Sequence, residues 1–503
     1  CQVDIKVDGQ EVTPDLHQPL NAYDDNAKKK LPVAITVTPG PLYKIRKITI
    51  TGAPDGPGGV KPNLKIRQGD PARALDIITA RRDLLDQVMA AGHPFALVEL
   101  KPAVVDHAAH TLDLAYTVDA GPSATLGPVT VKGLEWTDRA FIAKRATFPP
   151  GTKYSPGALD GLRGDLQSLD IFSSVKVTPA TALDADGRLP VTVEVKEKDR
   201  HFIGLGANYS TNDGAGGTGY WGDRNLFGGG EHLKVEGDLA GLGQQGQGWG
   251  LGSADYTLST NFSAPDFLTR RQDFVSSLVV ADEHDSDTFD KKGATITAGV
   301  QRSLGKAVKV GAGWEIEAAR ITDNDDTSDF LLNGPTGNIA FDNTDDLLNP
   351  TKGVRASFNA EAFPTWFGSS ENVFTTTSSA SSYLNLVGKG DLVLAGKVGL
   401  ANAFGSSLED LPADRRLFAG GGGSVRGFKY RSISPEDDSG DLTGGRSALT
   451  GSIELRYRFL GDFGIVPFFD AGTVSRSAMP KFDEPIRYAV GLGLRYNTSF
   501  GPI

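Results

Sequence analysis

The chain has 503 residues, more than one minimal domain needs, and carries 51 basic against 62 acidic side chains, a formal net charge of −11 that gives a nucleic acid no electrostatic footprint. Hydrophobic residues make up 39% and glycine numbers 62, which suits turn-rich β architecture better than a helical enzyme; the lone cysteine, Cys1, excludes an internal disulfide framework and any multi-cysteine metal site. No run of about 18 apolar residues occurs, so a helical membrane span is excluded, while a β-barrel, which needs apolar side chains only at alternate positions, stays open.

No signal peptide is visible at the start. "CQVDIKVDG" and "LPVAITVTPG" read as the closing hairpin of a unit that begins upstream, a better fit than Cys1 as the lipid-bearing first residue of a lipoprotein. From residue 43 the order is strand ("YKIRKITITG"), helices ("DPARALDIITARRDLLDQVMAAGHP") and two strands ("FALVELKPAVV", "TLDLAYTVDAG"). From 123 the order repeats, with two helical stretches between "SATLGPVTVKGL" and the strands "SSVKVTPA" and "LPVTVEVKEK". In the second copy Leu159, Leu162, Leu166 and Leu169 form one apolar stripe that has to lie on a small sheet. Each copy is a minimal α+β domain, giving boundaries at 41–120 and 121–199.

After Lys198 the helical periodicity disappears. "HFIGLGANYS" puts Ile203, Leu205, Ala207 and Tyr209 on one face and Gly204 and Gly206 on the other. "SIELRYRF" and "YAVGLGLRY" alternate the same way, and similar segments bring the count over 200–503 to about fourteen strands. A soluble sandwich or propeller also alternates. The length of these strands, aromatics such as Tyr488 and Tyr496 near strand ends, and polar or glycine residues on nearly every opposing face favour a transmembrane antiparallel barrel instead.

Other patterns carry little. "GAGGTG" at 214 and "GLGQQG" at 241 fit G-x-G-x-x-G, but neither opens a helix after a strand, as dinucleotide binding requires. "HAAH" at 107–110 offers two imidazoles with no third ligand nearby and reads as a turn. The acidic tracts "ADEHDSDTFD" and "TDNDDTSDF" lack calcium-loop spacing and are expected on long surface loops. With no nucleophile elbow, no metal site and no cofactor motif, the expectation is a protein that is not an enzyme.

The stretch "LFAGGGGSVRGFKYRSISP" is different in kind. Its core, Val425, Arg426, Gly427 and Phe428 after Gly420, Gly421, Gly422 and Gly423, resembles the signature of the outer-membrane assembly superfamily, whose members carry POTRA domains ahead of a membrane barrel. "PFFDAG" at 467–472 matches that family's Phe-x-Asp-x-Gly strand, while "WGDRNLFGGGEHL" and "FDNTDDLLNPTKG" resemble its early and mid-barrel signatures. In detail the 411–459 region is similar to the TamA branch, the outer-membrane subunits of translocation and assembly modules. The resemblance implies two POTRA domains at 41–120 and 121–199, the last hairpin of an earlier one at 1–40, and a barrel at 200–503 lacking the last of roughly sixteen strands.

It also implies a Gram-negative outer-membrane protein with its POTRA domains in the periplasm, docking a TamB-like partner and inserting or translocating β-barrel and autotransporter clients. The alternatives are the central barrel-assembly (BamA-like) branch and a two-partner secretion pore or passive channel. The family's arginine pairs with the acid of the strand motif. Here that is Arg426 with Asp470, with Glu454 inward by alternation and Phe428 expected near Phe468. Gly204 and Gly206, inward on the first barrel strand, leave little side chain to pack and mark it as one side of a gate.

Overall fold

The computed structural model describes residues 41–503 except 56–58, 211–213, 244–248, 251–253, 287–288, 324–325, 389, 483, 499–500 and 503, together with the backbone of five short strands before residue 41. Cys1, and the second half of "GLGQQG", lie outside the described residues. The early strands are β1 (Gln2–Val7), β2 (Gln10–Val12), β3 (Tyr23–Asp24), β4 (Lys29–Lys30) and β5 (Val33–Thr38). β1 pairs antiparallel with both β2 and β5, so the hairpin read from 1–40 has a third, short strand.

The chain divides into two compact units. The first takes residues 1–132, 146–166 and 175–195, and the second takes 133–145, 167–174 and 196–503. In the first, β6 (Lys44–Thr51), α1 (Ala74–Ala90), β7 (Leu97–Leu100), β8 (Val104–Asp106) and β9 (Thr111–Asp119) form a sheet in the order β6, β9, β7, with β8 alongside β9. One face of α1 buries Ile77, Ala80, Leu84 and Val88 against Ile45, Leu114 and Tyr116, and the Tyr116 hydroxyl donates to the Ile77 carbonyl at 3.1 Å, so the ring's polar end is satisfied inside the core. The repeat follows as β10 (Thr125–Lys132), α2 (Arg139–Arg145), α3 (Pro156–Gln167), β11 (Phe172–Pro179) and β12 (Arg188–Glu197), with sheet order β10, β12, β11. Leu159, Leu162 and Leu166 are the buried face of α3, as the stripe requires. "HAAH" is the turn between β8 and β9, where His107 Nδ1 lies 2.7 Å from the Tyr43 hydroxyl.

The second unit is one antiparallel meander. Its strands are β13 (His201–Ser210), β14 (Gly214–Asp223), β15 (His232–Leu242), β16 (Asp255–Ala264), β17 (Gln272–Ser286), β18 (Phe289–Leu304), β19 (Val308–Asp323) and β20 (Asp326–Asp342). They continue as β21 (Gly353–Phe363), β22 (Val373–Val387), β23 (Leu392–Gly405), β24 (Ser447–Leu460), β25 (Phe463–Ser475), β26 (Arg487–Thr498) and the two-residue β27 (Gly501–Pro502). Every strand pairs with its sequence neighbours, making a fifteen-stranded sheet whose described pairings do not close it into a ring. Fourteen long strands match the alternation count.

Two expectations are corrected. The acidic tracts are strand ends, since β17 and β18, like β19 and β20, carry their ladders into them. As expected, "GAGGTG" opens no helix; it lies within β14. The first repeat has one helix where the second has two.

Alternation fixes which face is which. Ile203, Leu205, Val490, Leu492 and Leu494 stay more than 60% exposed on one side, while on the other side long polar residues meet a chain segment, residues 406–446, that folds across the sheet's inner face. An apolar exposed band on a sheet this large belongs in lipid. Residues 201–503 are therefore expected to stay monodisperse only in detergent or bilayer, whereas 41–199 stays soluble alone. Size-exclusion chromatography of the two pieces checks this, and a monodisperse 201–503 in plain buffer contradicts it.

Candidate functional site: two arginine anchors of an inner-face loop

The segment joining β23 to β24 starts with a 3₁₀ turn at Ala413–Arg415 and returns through the glycine run. Gly420 and Gly421 have φ of +106° and +89°, and a Cβ on Gly420 would stand 2.3 Å from the Lys429 carbonyl oxygen, so these two positions need glycine. Gly422 and Gly423 do not: a Cβ there meets open space and neither has positive φ. The fold after the run is held by the Ala419 and Ile433 amide–carbonyl pair and by the Ser424 hydroxyl bonded to the Gly420 backbone.

This fold delivers Arg426 to β24 and β25. Its Nε and Nη2 donate to the two oxygens of Asp470 at 2.7 and 2.8 Å, and its own amide donates to the same carboxylate at 3.0 Å. Nη1 reaches Glu454 at 2.8 Å, and Nη2 also reaches the Ser452 hydroxyl. The register explains the convergence: Ser452 faces Asp470 and Glu454 faces Phe468 across the β24–β25 pair, so all four share the inner face. Asp470 is 1% exposed and also accepts from Ser452. Glu454 is shared with Arg456.

The strand motif thus has three separate jobs. Asp470 takes the guanidinium fork. The Phe468 ring lies beneath it, with the guanidinium carbon 3.6 Å from the ring centroid. Gly472 leaves the gap that Val425 fills, since a Cβ there would lie 2.7 Å from Val425 Cγ2. Phe428 is not beside Phe468 as expected; it packs with Ala419, Val425, Ile433, Ala448 and Val474, because the cation already occupies the ring's face. On β26, Gly491 makes room for the Phe468 ring.

A second anchor was missed in the sequence. Arg415 donates to Glu315 at 3.1 Å, to Glu361 at 3.2 Å and to Glu317. Lys291 bridges Glu317 and Asp414 at 2.7 Å each, and Arg416 reaches Asp323 at 2.8 Å. The available signal was "WEIE" in β19, whose alternation puts two carboxylates on one inner face and so demands cations, of which Lys291 on β18 answers Glu317 and Arg415 the rest.

The other two quoted signatures are turn chemistry. In "WGDRNLFGGGEHL", the buried Asp223 takes the Arg200 guanidinium and the Asn225 amide, and the Asn225 side chain donates to Thr137 and accepts from Gly230. In "FDNTDDLLNPTKG", Asp345 accepts from Thr351 and Lys352, Asp346 from Leu348 and Asn349, and Asn349 accepts from Arg495 at 3.0 Å, tying this turn to β26. On the first strand, Gly204 is not an empty place: the Tyr220 ring of β14 occupies the space a Cβ would need, and β13 pairs with β14 along its full length. Gly206 has only Thr218 nearby.

Two outcomes follow. Arg426→Ala leaves Asp470 buried and unpaired, so unfolding in detergent should come at a stability lower by about 3–5 kcal/mol, with Arg426→Lys recovering only part because an ammonium lacks the fork. A cycle with Asp470→Ala reads the coupling, and strict additivity contradicts the contact.

Desolvation alone would raise the Asp345 carboxyl, but the Thr351 hydroxyl and the Lys352 and Thr351 amides hold it at about 2. Its contribution is therefore full above the usual carboxylate range and disappears as pH falls through about 2. The stability difference between the native chain and Asp345→Asn should shrink over that window, and a difference independent of pH contradicts the assignment.

The Omp85 superfamily domain model matches residues 225–503, from the turn before β15 to the end of the sheet. Among curated relatives, the outer membrane protein assembly factor BamA of Nitratidesulfovibrio vulgaris (strain Hildenborough) is 24% identical over 94% of this chain, and that of Neisseria meningitidis serogroup B is 22% identical over 89%. The chain spans about 60% of the length of these relatives. Among solved structures, BamA from Haemophilus ducreyi lacking POTRA domains 1–3 superposes with a TM-score of 0.70 at 18% identity, covering 92% of this chain and 95% of that one. CdiB from Acinetobacter baumannii gives 0.52 at 12% identity, covering 92% and 85%. These superpositions speak for the fold. With the family model matching more than half of the sequence and ending in the strands that hold Arg426, the chain belongs to the Omp85 superfamily.

Proposed function

We propose that the chain is an outer-membrane protein assembly factor of the BamA type, working without catalysis: a barrel that offers a strand edge to incoming β-barrel clients, preceded by POTRA domains at 41–120 and 121–199 in the periplasm. The observation that carries this is relatedness to BamA over most of the chain, together with a sheet whose first strand has one partner only among the described residues. An unpaired edge matters because lipid satisfies no amide or carbonyl. A client strand has the same need, so edge and client solve each other's problem by strand addition. The energy comes from client folding.

The narrower TamA reading, with a TamB-like partner and autotransporter clients, rests on the 411–459 stretch. The BamA relatives match far more of the chain, and their name favours the general assembly role. A secretion pore or passive channel is the reading of a different class, and the superposition on CdiB speaks only for the fold.

A cysteine at Leu205 on β13 should crosslink to an engaged client during insertion into vesicles containing the full chain, and one at Phe358 on β21 should not. Crosslinking confined to the mid-sheet position contradicts the edge as template. Ion conductance with no acceleration of client insertion would favour the pore.

A further inference from the structure

β20 is paired on one side only for much of its length. β19 accompanies it from Asp326 to Phe341, but β21 joins it only between Thr336 and Asp342. Between residues 326 and 335 the β21 side of β20 has no strand among the described residues. Part of that gap is filled by the β21–β22 loop, residues 364–372. Its Ser370 amide donates to the Leu331 carbonyl at 2.7 Å, while the Ser370 and Ser369 hydroxyls accept from the Leu331 and Asn333 amides at 3.0 and 2.9 Å. The Asn333 side chain closes the arrangement, donating to the Phe367 carbonyl and accepting from Trp314 Nε1 at 2.6 Å.

The loop lies on the outer face. Glu315 and Glu317 point inward to Arg415, so Trp314 and Ile316 point out, and Phe367 stacks edge-on against Trp314 with centroids 4.9 Å apart. Trp366 leans on Phe367 and is 78% exposed. Around this trio the outer face is apolar, with Ile316, Leu331 and Ile339 exposed, until the Arg320–Asp329 pair marks its upper limit.

We propose that loop 364–372 is a membrane anchor: Trp366, propped on Phe367 and Trp314, inserts into the lipid leaflet at the β21–β22 end of the sheet, and its loop covers part of the stretch of β20 that β21 leaves unpaired. The occupant is lipid because the aromatic trio adjoins the exposed Ile316, Leu331 and Ile339 of the outer face, and the polar groups between them, Asn333, Ser369 and Ser370, are hydrogen-bonded within the arrangement. An indole, apolar in body with one N–H, suits the headgroup boundary. Serine hydroxyls substitute for the missing strand where bare amides would face hydrocarbon. The inference rests on the barrel spanning a membrane.

The test uses the full chain carrying Cys1→Ser, in phosphatidylcholine vesicles with a spin label near the top of the acyl chain. Thr365→Cys bears a nitrobenzoxadiazole fluorophore, with Ile339→Cys as the outer-face control and Ser439→Cys as the exposed-turn control. The label at 365 should lose most of its emission, as at 339, while the label at 439 keeps its own, and Trp366→Ser should move the 365 label toward the behaviour of 439. Quenching at 339 without quenching at 365 overturns the anchor and leaves the aromatic face to a protein partner. No quenching at 339 overturns the membrane reading and the anchor with it. Quenching at 365 that is indifferent to Trp366→Ser overturns the role of the indole.

Discussion

Alternation that suits a strand to lipid on one face delivers carboxylates to the other, and each of those has to find a cation. Glu315, Glu317 and Glu361 on β19 and β21, and Glu454 and Asp470 on β24 and β25, stand on the inner face of one sheet. Within the sheet, Lys291 and Arg456 serve Glu317 and Glu454, and the remaining demand is met by a segment that crosses the inner face. Loop 406–446 is therefore a structural member: Arg415 pins its start to one wall, with Glu315 lying 100 residues away in sequence, and Arg426 pins its middle to the other.

The two anchors differ in how their specificity arises. Arg426 sits in a fork-on-fork contact over an aromatic ring, a geometry that an ammonium reproduces only in part. Arg415 is instead the centre of a crowd of carboxylates, and charge matters there more than shape. Both leave β13 and β26 without loop-borne carboxylate bridges among the contacts described, so the rigid part of the sheet and its edges are distinct regions. The proposed function, which asks for a firm sheet and a receptive edge, needs that separation.

The fold was legible because its signal is local. Period-two alternation identified fourteen strands, and the Leu159 to Leu166 stripe identified a helix, from residues within a few positions of one another. Arg426 with Asp470 and Glu454 was reachable because parity places both acids inward and the motif resemblance names the cation. Arg415 was not, since no periodicity links residue 415 to residues 315, 317 and 361. Phe428 went astray for a related reason: two aromatics near one motif suggest a ring pair, but a guanidinium over Phe468 is the better neighbour for that face. The half-paired β20 was equally invisible, because alternation reports which way a residue points and not whether a strand lies beside it.

The central claim, that loop 406–446 is fixed to the inner face of the sheet, is tested most directly by native-state hydrogen exchange of the full chain in detergent. The account predicts that the amides of Leu417, Ala419, Arg426 and Gly445, bonded to Gly445, Ile433, Asp470 and Leu417 respectively, exchange as slowly as the ladder amides of β24 and β25. Exchange of these four at the rate of an open loop, with the ladders still protected, would contradict it.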